Sequence, residues 1–183
     1  MPLEFTTSCL TDSTEWFRAY KRLAEGALAQ LSDEQLLAAI DPESNSIAIV
    51  VKHMTGNMRS RWTGFPHADG ESVARDRDSE FLDPPQSRAE LMALWNDGWA
   101  VLFQALDSLT DADLIRPVTI RGEKHSVVQA IHRQLGHYAY HVGQIVFLAK
   151  HLAHANWRPL TIPRGGSAAY NSRVQSGEVS QRP

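Results

Sequence analysis

The sequence predicts an all-α fold, a four-helix bundle. Three observations carry that expectation. Four long stretches of this 183-residue chain place apolar residues at helical spacing. Most are opened by a Ser or Thr of the kind that caps helix N-termini. The segments between them are polar or rich in Pro and Gly, with one short extended stretch.

Taken in order, Thr11 or Ser13 is placed to cap a first helix through Trp16, Tyr20, Leu23 and Leu28. Ser32-Asp33-Glu34-Gln35 has the capping-box spacing and predicts a short helix over 35–40. A second long helix is expected from about Ser46 to Gly64. Residues 66–85 are polar and lack a clean period, so they read as a long loop, and loops of that length are often functional. Ser87-Arg88-Ala89-Glu90 is another capping box and predicts a third long helix to about Leu109. Residues 110–113 read as a turn or short helix, and 116–125 as extended, with Gly122 suited to a tight turn. Ser126 then caps the fourth long helix, to about Leu152. The Pro- and Gly-containing remainder is expected to wrap the surface. Residues 1–171 read as one domain and 172–183 as a flexible tail.

Bulk properties narrow the function. With 18 basic and 21 acidic residues the net charge is −3, and no Lys/Arg run stands out, so no nucleic-acid partner is expected. No stretch approaches the roughly 20 apolar residues of a membrane span. The first residues lack a signal-peptide pattern, and Cys9 is the single cysteine, which excludes an internal disulfide. Together these read as a cytoplasmic protein.

The chemistry-bearing pattern is histidine. His137 and His141 lie four residues apart in the fourth helix and project from one face. At about 100° per residue both fall on one edge of that helix's apolar arc, and His53 occupies the equivalent edge of the second helix. Side-by-side packing would let three imidazoles converge on one divalent ion and leave a coordination position open. Zn²⁺, Ni²⁺ and Fe²⁺ suit such ligands. Structural zinc would call for thiolates that one cysteine cannot supply. Asn57 and Arg61 extend the His53 face, and Gln134 and Gln144 flank the His pair. A partly buried, hydrogen-bonded histidine trio is the bland alternative. His67 could reach the site only if its loop folds over it. The mixed-charge run Arg75–Glu80 reads as a solvated or salt-bridged lid, and Trp62, Trp95 and Trp99 as core. Gly136, Ala139 and Gly143 leave the opposite face of the fourth helix open to another helix or subunit.

One His on the second helix and an H-x-x-x-H pair on the fourth resemble the metal-binding four-helix bundles of the DinB-like superfamily. The runs Asn45–Trp62, Asp69–Glu71, Arg77–Phe81, His137–Ile145 and Ile162–Ser167 are similar to one bacterial branch without an assigned function. The resemblance implies an up-down-down-up bundle, His53, His137 and His141 as metal ligands, and often a homodimer. It also implies thiol-transferase or isomerase chemistry, with the metal activating a low-molecular-weight thiol. The expectation is therefore a metal-dependent transferase, with metal-assisted hydrolysis as a variant. Asn57, Arg61 and Gln144 would orient a small-molecule substrate and the 66–85 loop would cover the site. The alternative is a non-catalytic metal- or ligand-binding protein with a stress-related role.

Overall fold

The structure is a computed structural model and describes residues 8–68 and 75–181. Its four long helices are α1 (Cys9–Leu28), α3 (Ile47–Trp62), α4 (Arg88–Asp107) and α5 (Val127–Ala153). A short α2 (Asp33–Leu37) follows α1. The strands β1 (Pro117–Ile120) and β2 (Glu123–Ser126) form a hairpin before α5, and α6 (Ser167–Gln175) lies near the C-terminal end.

Caps set most boundaries where the sequence places them. Ser46 accepts from Ile49 N–H, while Ser32 with Gln35 and Ser126 with Gln129 form reciprocal capping boxes. Two expectations shift. The cap of α1 is Ser8, not Thr11 or Ser13: its hydroxyl accepts from Thr11 N–H. At α4 Ser87 does accept from Glu90 N–H, but the Glu90 carboxylate reaches back to Gln86 N–H, one residue before the cap. Near the C-terminal end, α6 is a helix without buried residues. In the hairpin, Arg121 and Gly122 both take positive φ, 55° and 77°, as a two-residue turn between right-twisted strands requires.

Side-chain contacts give the helix directions. Glu25 of α1 bonds Trp95 of α4, and Arg18 stacks over Phe103, so these two run antiparallel. On α3, Arg59 bonds Asp97 while Thr55 and Met58 flank Gly98, and Trp62 lies beside Val101 and Ala105, so α3 and α4 run parallel. Cys9 meets His132 and Phe17 meets Tyr138, so α1 and α5 are parallel as well. His53 meets His141, and Asn57 meets Tyr138, so α3 and α5 are antiparallel. The order is up-down-down-up. Between them the helices bury Phe17, Met54, Met58, Trp95, Trp99 and Tyr138 completely, with Trp99 edge-on to three other aromatic rings. At Gly98 a Cβ would lie 3.1 Å from both Thr55 and Met58, so the α3–α4 approach depends on its absence.

Topology explains the long loop. Two consecutive parallel helices oblige the chain to travel back the length of the bundle between Trp62 and Arg88. Part of that return lies against α3: a 3-10 turn, Asp78–Phe81, interrupts what the sequence shows only as loop. Lys52 anchors it, its ammonium donating to the carbonyls of Ser79, Leu82 and Asp83 at 2.7, 2.7 and 3.2 Å. Helix geometry thus decides which loop residues meet the histidine face.

Candidate metal centre

His53 comes from the middle of α3, and His137 and His141 from successive turns of α5. Because α3 and α5 are antiparallel neighbours, the three rings meet at one level of the bundle. One ligand nitrogen from each lies within 4.8 Å of the others, and all three residues are half-buried. Their edge positions on the two helices have this consequence: the rings face a groove while Val50, Met54 and Val142 pack beneath them.

The hydrogen bonds orient two of the rings. His53 Nδ1 sits 2.9 Å from Glu80 Oε2, and a carboxylate accepts, so Nδ1 carries the proton and Nε2 keeps its lone pair. His141 Nδ1 lies 2.7 Å from Gln144 Oε1, whose amide donates from Nε2 to the Tyr140 hydroxyl at 3.1 Å. His141 Nε2 is therefore also a free lone pair. It stands 3.1 Å from His137 Nε2. Two ligand nitrogens on a tetrahedral zinc, each about 2.05 Å from the ion, would be separated by about 3.3 Å. The observed spacing matches that edge to within a small adjustment. Nδ1 of His137 is buried without a hydrogen-bond partner among the described residues.

Burial favours the neutral form of the two α5 histidines, the form that ligates a metal. Burial pulls His137 down to about 3, and the neighbouring basic groups His141, His53, Arg75 and Arg133 add to the effect. His141 is lowered by burial, against the opposing bond to Gln144. Burial raises Glu80, but hydrogen bonds from His53 and Arg75 outweigh it and hold the carboxyl below its usual range. Arg75 makes that bond two-pronged, Nε to Oε1 at 2.6 Å and Nη2 to Oε2 at 2.8 Å.

Glu80 is the residue that sequence reasoning missed. Its run is salt-bridged, as one of the two readings of the lid had it, but Glu80 itself is only 5% exposed. The sole sequence signal was Gly56, three residues after His53. A Cβ there would fall 2.8 Å from Glu80 Cδ, so the glycine clears the helix face for the carboxylate. Phe81 follows by stacking on the His53 ring, centroids 4.9 Å apart.

The other site candidates divide. Asn57 and Arg61 are buried and border a cavity of about 310 Å³ that also reaches His53 and His137. Asn57 is engaged as well in a buried chain: Trp62 Nε1 donates to the Tyr138 hydroxyl at 3.1 Å, which donates to Asn57 Oδ1 at 3.0 Å. Gln144 lies outside the lining of that cavity and touches the site through His141. Gln134 borders it and is almost fully buried. His67 lies exposed beyond the end of α3, outside the histidine cluster. The expected contribution of Asp69–Glu71 lies outside the described residues. No helix among the described residues is long and apolar enough to cross a membrane.

Comparison with curated proteins gives no match. Among solved structures, the chain is similar to a DinB-like protein from Bacillus cereus ATCC 10987, a crystal structure at 2.01 Å resolution. The two share 18% identity with a TM-score of 0.56, over 74% of this chain and 89% of that one, which is a likeness of fold. A family model described as "Protein of unknown function (DUF1572)" matches residues 4–166. A DinB-like bundle with three clustered histidines that can hold a metal ion, over a match spanning most of its length, this chain belongs to the DUF1572 family.

Proposed function

We propose that this protein is a metal-dependent transferase that joins a low-molecular-weight thiol to a small electrophile at the three-histidine site. The observation that carries the reading is a ligand set that is clustered, oriented and bordered by a cavity: Glu80 and Gln144 engage Nδ1 of His53 and His141 and leave Nε2 of each toward the cluster, and His53 and His137 reach the 310 Å³ space. A divalent ion, zinc or nickel first and iron next, would supply the acidity that turns a bound thiol, or a water in the hydrolytic variant, into a nucleophile at neutral pH.

The chain's own residues then do the rest. His53, His137 and His141 would hold the ion through their ring nitrogens, and a three-ligand set would leave room for a substrate atom. Asn57 and Arg61 line that cavity, where they would position substrate, and Gln144 steadies His141. Phe81 covers one face of His53 and limits water there. Tyr140 and Phe147 are exposed on α5, with open space beside Gly136 and Gly143. That face would suit pairing of two copies, which sedimentation would test.

The test combines metal content with turnover. Tag-free protein should carry near-stoichiometric zinc, nickel or iron, and His53→Ala and His141→Ala should both lose it. The loaded protein should consume chlorodinitrobenzene in a thiol-dependent reaction that His137→Ala abolishes. Full activity in His137→Ala would sink the transferase reading. Bound metal without turnover over a broad thiol and electrophile panel would favour the non-catalytic binding protein.

A further inference from the structure

His137 and His141 touch through their ring nitrogens, Nε2 to Nε2 at 3.1 Å. A hydrogen bond between two nitrogens needs one donor and one lone pair. His141 supplies the lone pair, because its Nδ1 carries the proton that Gln144 Oε1 accepts at 2.7 Å. His137 therefore donates from Nε2, and in a neutral ring its Nδ1 is then the bare nitrogen. That Nδ1 is buried and meets no partner among the described residues. Ligation through Nε2 requires the opposite arrangement, a lone pair on Nε2 and the proton on Nδ1. Of the three rings, His137 alone has to exchange its tautomer to hold an ion.

The Nδ1–H so formed needs an acceptor, since a buried donor left unpaired is unfavourable. Gln134 supplies one. It stands three residues before His137 on α5, so the two are neighbours on the helix surface, and both border the cavity of about 310 Å³. Gln134 is 3% exposed, and its Oε1 has no hydrogen-bond partner among the described residues. Two buried polar atoms about one turn apart are thus both unpaired, in a fold where such atoms are ordinarily satisfied. The arrangement mirrors its neighbour: Gln144 stands three residues after His141 and orients that ring by direct contact.

Oε1 and Nδ1 do not bond each other, so more than one hydrogen-bond length separates them. One water spans such a gap, and the cavity has room for it. With the proton on Nε2, that water gives its two hydrogens to Nδ1 and to Oε1. With the proton on Nδ1, it accepts from the ring and still gives one hydrogen to Oε1. The same bridge serves both tautomers.

We infer that metal binding switches His137 from its Nε2–H to its Nδ1–H tautomer, and that Gln134 is the positioning residue that holds the second tautomer through one bridging water. The proton count closes on the ring: Nε2 releases one proton and Nδ1 gains one through the cavity water, so the imidazole stays neutral. The inference rests on the metal-binding part of the reading above and is independent of the transferase chemistry.

Nitrogen-15 NMR of the full-length protein, chelator-stripped and zinc-loaded, reads the tautomer of each ring. In the stripped protein His137 should show a protonated Nε2 and a bare Nδ1. In the zinc-loaded protein its Nδ1 should be protonated, while His53 and His141 keep Nδ1–H throughout. Gln134→Met, which keeps the length and loses the acceptor, should bind zinc about tenfold more weakly in competition with a chromophoric chelator. Its stripped form should keep the wild-type urea midpoint, since Oε1 bonds no described protein group. Gln134→Glu, which restores an acceptor oxygen, should recover most of the lost affinity. A protonated His137 Nδ1 in the stripped protein, wild-type affinity in Gln134→Met, a midpoint loss that matches its affinity loss, or no recovery in Gln134→Glu would overturn the inference. Wild type that takes up no zinc would overturn the three-histidine site and the switch together. Zinc uptake without a change of tautomer would overturn the switch alone.

Discussion

Glu80 Oε2 lies 2.9 Å from His53 Nδ1, although the two residues are 27 positions apart and belong to different elements. This contact joins the return loop to the histidine face. Arg75 holds the carboxylate from the other side, and the absent side chain of Gly56 gives it room. One imidazole thereby acquires a defined tautomer, with Nε2 presented to the groove.

The first prediction concerns that contact. Carboxylates that orient a ligating histidine typically contribute 10–100-fold to metal affinity. Glu80→Ala should weaken zinc binding by about that factor, measured by competition with a chromophoric chelator. Gly56→Ala should weaken it too, by displacing Glu80, even though alanine favours a helix interior by about 1 kcal/mol. If the two changes act through one contact, the double variant will be no weaker than the worse single one. Simple additivity of the two losses would refute the coupling.

Gln144 makes a contrasting case. It orients His141 from a position where its bond to Tyr140 is exposed. Gln144→Leu should lower zinc affinity about tenfold while leaving chemical stability within about 0.5 kcal/mol of wild type. A large shift in the urea midpoint would show that Gln144 is structural instead.

Tyr138 should behave in the opposite manner. Its hydroxyl, completely buried, bridges Trp62 and Asn57. Tyr138→Phe leaves a buried indole N–H and a buried amide oxygen without partners, at a cost of about 1–3 kcal/mol for each group left unsatisfied. Urea denaturation of the variant reads this directly. An unchanged midpoint would mean that the chain of bonds contributes nothing to stability.

Acid should destabilise chelator-stripped protein through His137. Its folded-state value, about 3, lies below the ordinary 6.5, chiefly through burial. Between those values the unfolded chain binds a proton that the folded chain refuses, so stability falls as pH drops from about 6.5 toward 3. Melting temperatures taken between pH 7 and pH 4.5 should fall more steeply for wild type than for His137→Gln. Parallel slopes would show that the ring is not kept neutral by the fold.

The helices were largely legible in the chain because their signals are local. Ser32 with Gln35, and Ser126 with Gln129, act within one turn, so their capping boxes can be read three residues at a time. The start of α1 escaped because Ser8, Thr11 and Ser13 are all competent caps within six residues, and local spacing does not rank them. Likewise α6 buries nothing, so it has no apolar stripe to announce it.

His53, His137 and His141 were recognisable from the sequence for the same reason: helical periodicity alone puts each on the edge of an apolar face. Their meeting needed only that α3 and α5 be neighbours, which a four-helix bundle readily provides. Glu80 and Arg75 were beyond such reasoning. Their positions follow from where a 25-residue return between parallel helices touches α3. No periodicity governs an irregular loop, so its contacts are decided by packing against a surface that exists only once the helices have assembled. The amino-acid sequence by itself determined the helices and the ligand residues on them, while tertiary structure alone decided the loop groups that orient His53.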